Sequence, residues 1–218
     1  MKLLAIDTST DYMSLALTDE DKIVGRFHGK VGRNHSRLLV GKIEKLLKKC
    51  GVKASEIDCL CISIGPGSFT GLRIGVTTVK GLAHALKKRI VAVPTLDVIA
   101  HNAKTFNGII CPVLDARKNK VYAALYRSSN GKIKKISKDL LVSVKDLLEK
   151  TDTYDNVLFL GDGVALTGRA ADEKLDWHPR PQPLARLGIE EYRKKAFVSA
   201  EDLEPLYLYS RECDITGK

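Results

Sequence analysis

The sequence predicts a two-lobed α/β fold, and three observations carry that reading. Each half of the 218 residues opens with three strand-like runs joined by tight turns. Each half then continues with helix-period and strand-like segments in alternation. Between the halves, Thr105-Phe106-Asn107-Gly108 fits neither period, so the boundary falls there. The expected domains are an N-terminal lobe of residues 1–105 and a smaller C-terminal lobe of residues 106–218.

In the first half, Lys2–Ile6 is apolar, Asp7-Thr8-Ser9-Thr10-Asp11 is turn chemistry, and Met13–Leu17 and Ile23–His28 complete an antiparallel meander. A helix follows over about 36–49, its apolar positions Leu38, Leu39, Val40, Ile43, Leu46 and Leu47 exceeding one stripe. Cys59–Ile64 is a strand, and Gly65-Pro66-Gly67 breaks it, because Pro lacks an N–H donor and Gly permits φ > 0. Ser68 is placed to N-cap a helix over Phe69–Leu86. Ile90–Val93 is a short strand, and a helix starting at Pro94-Thr95 closes the half.

The second half begins with Ile109–Leu114, Val121–Tyr126 and Lys132–Ile136 as strands. Val144–Leu148 reads as a short helix, Val157–Leu160 as a strand, and Gly161-Asp162-Gly163 as a turn before a weak helical segment. Trp177–Pro183 is irregular, Leu184–Lys195 is helical, and a tail from Leu203 carries Glu204-Pro205-Leu206-Tyr207. The repeated β-β-β-α-β-α unit is the signature of the actin-like (ASKHA, ribonuclease H-like) ATPase architecture, here with a degenerate second lobe.

The helix over Phe69–Leu86 has more than one packed face. Leu72, Val76, Val79, Ala83 and Leu86 form an apolar stripe, and Gly71, Gly75, Thr78, Leu82 and Ala85 form a small one beside it. Each interior Gly costs about 0.5–1 kcal/mol against Ala, so Gly71 and Gly75 suggest a close backbone approach. Two readings stay open: both stripes are buried inside one chain, or one of them meets another chain.

Composition narrows the function classes. Hydrophobic residues make up 44% and charged residues 28%, enough for a full core and a solvated surface. The net charge is +10, which permits contact with RNA, a membrane surface or an acidic protein without selecting one. Five cysteines, Cys50, Cys59, Cys61, Cys111 and Cys213, make no disulfide framework, and no apolar run is long enough for a signal peptide or a membrane span. The expectation is a cytoplasmic protein with reduced thiols and no membrane partner.

The chemistry-bearing motifs are sparse. None of the five histidines is four residues from another, so no helix offers an H-x-x-x-H pair, and no metal site is expected. There is no phosphate-loop G-x-x-x-x-G-K-[ST] and no G-x-S-x-G elbow. Asp7, Thr8 and Ser9 form a hydroxyl-rich turn able to wrap a phosphate, or else a plain hairpin turn. Gly65–Ser68 precedes a helix N-terminus, where an anion or a tight helix connection both fit. Asp115 and Arg117, at a strand end, read as a catalytic pair or a structural ion pair.

Taken in order, A-I-D-T-S at 5–9, N-H-S-x-x-L at 34–39, G-P-G-S-F-T-G-L-R-I-G at 65–75, K-G-L-A at 80–83, L-D-A-R-x-x-x-V-Y at 114–122, G-D-G at 161–163 and P-L-Y at 205–207 resemble the TsaB (YeaZ) family. That resemblance spans nearly the whole chain. It implies membership of the bacterial machinery that makes threonylcarbamoyladenosine next to the tRNA anticodon, as the non-catalytic paralogue of TsaD. It implies a TsaB–TsaD heterodimer and a TsaB homodimer through the two first-lobe helices, with TsaE in the wider complex and tRNA engaged indirectly. The interface residues so implied are His35, Leu38, Leu39, Ile43, Leu46, Gly71, Leu72, Gly75, Val76, Val79 and Leu82. His35 stands where the catalytic paralogue begins its metal-binding helix, but Leu39 occupies the position of a second ligand. Asp7, Thr8, Ser9, Asp115, Gly161 and Gly163 match remnants of nucleotide motifs, so no catalytic residue is expected, and no cofactor beyond a possible ATP or ADP with Mg. The alternatives are an ATP-hydrolysing actin-like enzyme using Asp7 and Asp115, and a glycoprotease-like metallopeptidase, which the missing histidine pair disfavours.

Overall fold

The computed structural model describes residues 1–170, 172 and 175–209; Cys213 lies outside them. It has the expected two-sheet, actin-like α/β architecture. β1 (Lys2–Asp7), β2 (Tyr12–Asp19) and β3 (Lys22–Lys30) form the antiparallel meander. β4 (Cys59–Gly65) adds parallel to β1, and β5 (Arg89–Pro94) adds parallel to β4. Central strands covered on both faces should be apolar throughout, and β1 and β4 are buried at almost every position.

Two helices, α1 (His35–Lys49) and α2 (Phe69–Leu86), cover one face of this sheet. Leu39, Ile43, Leu46, Val76 and Val79 meet Leu4, Ile6, Leu15, Leu60 and Ile62 there. On the opposite face lie α3 (Thr95–Asn102) and a later helix over Pro181–Arg193. α3 has two apolar sides: Val98 joins the first-sheet core, while Leu96, Ile99 and Ala100 join the core of the second sheet. This helix is therefore shared between the cores of the two sheets.

The second sheet is built on β6 (Gly108–Arg117). The expected strand Val121–Tyr126 is split into β7 (Lys120–Ala123) and β8 (Tyr126–Ser129), yet both keep one register, with Val113 opposite Ala123 and Ile110 opposite Tyr126. The break at Leu125 arises because its N–H turns to the Ser137 hydroxyl at 2.8 Å. It lets the third strand shift between β9 (Lys132–Lys135), which pairs with β8, and β10 (Leu140–Ser143), which pairs with β7. β10 is absent from the sequence reading. α4 (Val144–Thr151), β11 (Val157–Leu160), parallel to β6, and α5 (Val164–Thr167) complete the lobe.

The main departure is at the C-terminal end. Residues 106–218 were expected to belong to the second lobe, and the helix was expected from Leu184. α6 instead runs Pro181–Arg193, its two prolines fitting the first turn, where helical N–H groups lack intrahelical partners. It packs on the first sheet, where Leu184, Ala185, Leu187 and Ile189 meet Leu3, Ala5, Cys61 and Val91. Gly188 makes this possible, since a Cβ there would lie 2.6 Å from the Cys61 Sγ. β12 (Phe197–Val198) then joins the edge of β5, so the first sheet has six strands and its order is β12-β5-β4-β1-β2-β3. The apolar face of α6 was legible, but its partner sheet was not.

Candidate functional site

The turn after β1 is enclosed by its own chain. Asp7, Thr8 and Ser9 are all at most 1% exposed. Ser9 donates from its N–H to Asp7 Oδ1 at 3.0 Å, and its hydroxyl lies 3.0 and 3.1 Å from the two carboxylate oxygens. Burial pushes the Asp7 carboxyl up to about 6, with the Ser9 donors opposing that rise. The N-terminal end of α2 sits directly on this turn. Ser68 donates its N–H to the Ser9 carbonyl at 2.7 Å, and the Thr8 hydroxyl donates to the Gly71 carbonyl at 2.7 Å. A Cβ at Gly67 would lie 2.4 Å from the Ser9 carbonyl oxygen, and one at Gly71 would lie 2.1 Å from that of Thr8. Gly67 and Gly71 thus serve a backbone-to-backbone contact within the chain, and Gly75 makes room for the Thr8 hydroxyl. The Ser68 hydroxyl accepts from the Gly71 N–H at 3.3 Å, which is the expected N-cap.

The counterpart turn in the second lobe is built differently. Asp115, at the end of β6, accepts from the Arg117 N–H at 2.7 Å and pairs with the Arg117 guanidinium at 3.1 Å. The structural ion pair is therefore the arrangement found. Arg117, Lys118 and Asn119 all have φ between 51° and 67°, a left-handed run that costs non-glycine residues roughly 1 kcal/mol or more each. Gly161 and Gly163 pack under this strand, where a Cβ at Gly161 would lie 2.0 Å from the Val113 carbonyl oxygen. Asp162 between them accepts from the Asp115 N–H at 3.0 Å, and burial raises its carboxyl above the ordinary range.

A segment the sequence reading did not place in the site connects the two turns. The Leu206 N–H donates to the Ile64 carbonyl at 2.7 Å, and Tyr207 packs on Phe69, their ring centroids 5.4 Å apart. The Tyr209 hydroxyl donates to the Ala116 carbonyl at 2.9 Å. The tail therefore straps the start of α2 to the end of β6. The P-L-Y triplet was its only sequence signal.

The implied interface residues fall mostly inside the chain. Leu39, Ile43, Leu46, Leu72, Val76 and Val79 are at most 5% exposed, Gly71 and Gly75 are buried, and His35 is buried with Nε2 donating to the Tyr12 carbonyl at 3.2 Å. These positions face the first sheet or the turn after β1, because one stripe of each helix is needed for the protomer's own core. Leu38 and Leu82 alone of the set remain half-buried. The outer surface of the pair also carries Val40, 60% exposed, half-buried Ile74 and Thr78, and exposed Gly41, Gly81 and Ala85. Among the described residues no cluster of three His, Cys, Asp or Glu is arranged to hold a metal ion, and no helix is long and apolar enough to cross a membrane.

A family model described as "TsaD: tRNA N6-adenosine threonylcarbamoyltransferase" matches residues 21–183. The tRNA threonylcarbamoyladenosine biosynthesis protein TsaB of Bacillus subtilis is 35% identical over 98% of this chain and 96% of its own length. The chain belongs to the TsaB (YeaZ) family. A TsaB from Haemophilus influenzae is 28% identical over 95% of the chain and 93% of its own length. The solved structure of YeaZ from Pseudomonas aeruginosa superposes with a TM-score of 0.82 at 28% identity, covering 95% of this chain and 99% of that one. The TsaB family takes part in tRNA threonylcarbamoyladenosine biosynthesis.

Proposed function

We propose that this chain is a non-catalytic partner subunit in threonylcarbamoylation of the adenosine next to the tRNA anticodon, binding and supporting the catalytic paralogue TsaD. The observation that carries this is the outer face of the α1–α2 layer. Val40, Leu38, Ile74 and Leu82 lie on it with the small residues Gly41, Gly81 and Ala85, which let a second pair of helices approach closely. The same face serves a second copy of this chain when TsaD is absent, and TsaE and tRNA join through the larger assembly. The protein acts in the cytoplasm on this reading.

No nucleotide turnover is assigned to this chain, and no cofactor. The Thr8 hydroxyl and the Ser9 carbonyl are bonded to the start of α2, the Asp7 carboxylate is bonded by Ser9, and Asp115 is paired with Arg117. The test is the mass of the mixed proteins by light scattering. Val40→Asp combined with Leu82→Asp, in a chain that retains its circular dichroism, is expected to leave monomers and unassembled TsaD. Complex formation at wild-type affinity by that variant sinks the proposed face.

A further inference from the structure

Three elements distant in sequence enclose a cavity of about 190 Å³. His101 and Lys104 come from the end of α3, Arg180, Gln182 and Arg186 from the start of α6, and Gly131 from the tip of the β8–β9 hairpin. No carboxylate lines it. Arg180 is shared with Asp176, whose Oδ2 is 3.4 Å from its Nε. Lys104 and Arg186 have neither an ion pair nor a hydrogen bond to any described residue. α6 begins at Pro181, so the positive end of its dipole points to the same side.

The walls are fixed from within. The Asn102 side-chain amide donates to the carbonyls of Asp176, Trp177 and His178 at 3.2, 3.0 and 2.8 Å. His178 in turn stacks on Tyr12, their ring centroids 3.7 Å apart. Two demands of an anion site are thus met in advance: the cations line one cavity, and the loop that carries Arg180 is held.

The positive surface continues beyond the cavity. Lys132 follows Gly131 at the hairpin tip, and Arg127 stands directly opposite Lys134 in the β8–β9 register. All three are exposed, and none pairs with a carboxylate among the described residues. Like charges facing each other across a strand pair are unfavourable, and a polyanion lying along the hairpin relieves that repulsion.

We infer that this cavity is a phosphate-binding site, with the remainder of the ligand running along the β8–β9 hairpin. Its volume is below the roughly 300 Å³ at which pockets for whole small molecules begin, so it holds one phosphate and leaves the attached groups outside. A phosphodiester in an RNA backbone fits that geometry. Naming RNA as the source rests on the tRNA-modification reading and adds to it a direct contact of this chain with tRNA; the phosphate chemistry of the cavity rests on neither.

The test is fluorescence anisotropy of labelled tRNA with the purified full chain between about 50 and 200 mM salt. Lys104→Gln with Arg186→Gln is expected to weaken binding about tenfold and to lower the slope of log K against log salt by about 1.5, as the loss of two phosphate contacts predicts. Lys145→Gln with Lys150→Gln, on α4, is the charge-matched control and is expected to change neither. Parallel titrations with ATP and inorganic phosphate separate the sources. Binding of either that is lost in the Lys104/Arg186 variant, with tRNA binding unaffected, assigns the site to a free phosphate or nucleotide. Equal affinities for tRNA, ATP and phosphate in variant and wild type overturn the site. The variant is expected to form the TsaD complex at wild-type mass, so failure of the cavity and failure of the helical interface are read from different measurements.

Discussion

Replacing Gly71 and Gly81 by alanine, one at a time, should move stability in opposite directions although both lie in α2. At Gly81 a Cβ meets nothing within 4 Å. Only the helix propensity changes there, and Gly81→Ala is expected to stabilise by about 0.5–1 kcal/mol. At Gly71 the added Cβ would be 2.1 Å from the Thr8 carbonyl oxygen, against an ordinary contact of about 3.5 Å. Backbone stands on both sides, so α2 must move off the turn by more than an ångström. That movement breaks the Thr8–Gly71 hydrogen bond of 2.7 Å, worth about 0.5–1.5 kcal/mol, and adds overpacking strain of about 1–3 kcal/mol. Net of the propensity gain, these terms span about 0.5–4 kcal/mol, and Gly71→Ala should cost about 2–3 kcal/mol, near the middle of that span. For a chain of this length that is a fall in Tm of roughly 4–12 °C. Urea unfolding followed by circular dichroism measures both variants on the isolated chain. A Gly71→Ala variant within 0.5 kcal/mol of wild type would refute the claim that the glycine block exists for this contact.

Asp7 and Leu184 give two further expectations. The raised Asp7 carboxyl keeps its proton in the folded chain between about pH 4 and 6, where the unfolded chain has lost it, so this group's contribution to stability is lost as pH rises through that window. Asp7→Asn stays neutral, and the stability difference in its favour should grow by up to ~3 kcal/mol from pH 4 to pH 7, at about 1.36 kcal/mol per pH unit; a difference that is flat with pH contradicts the assignment. Leu184 is fully buried between α6 and the first sheet, and Leu184→Ala should destabilise by about 2–5 kcal/mol. The single tryptophan, Trp177, lies just before α6 and its fluorescence reports the loss; an unchanged unfolding midpoint would mean that α6 is not part of that core.

What could be read in the sequence follows from the range of the interactions involved. Phe69–Leu86 was legible to the residue, because the break at Gly65-Pro66-Gly67, the Ser68 cap and the apolar period are all local signals. The Asp7–Ser9 turn was legible as a place, but not as a closed one, since its closure depends on Ser68 and Gly71, about sixty residues away. Likewise Gly71 and Gly75 announced a close approach without naming Thr8 as the neighbour. The apolar positions of α1 exceed one stripe in the sequence, yet which of them the protomer's own sheet consumes depends on the crossing of α1 over β2 and β3. The Lys104–Arg180–Arg186 cavity left no trace in the sequence, because its cations come from two elements some eighty residues apart and each resembles a solvated surface charge.

The return of α6 and β12 to the first sheet bears on how the chain is made. β1 and β12 then belong to one sheet, and the second lobe is in effect an insertion between them. Leu3, Ala5, Cys61 and Val91 are synthesised early, but the helix that covers them ends near Ile189. Translation at about 5–20 residues per second leaves that apolar face waiting roughly 5–20 s for its cover. Long sequence separation also makes the docking of α6 slow to nucleate. The first lobe therefore reaches its final form last, after the lobe inserted into it, and its uncovered underside is the surface at which the nascent chain is most exposed to misassembly.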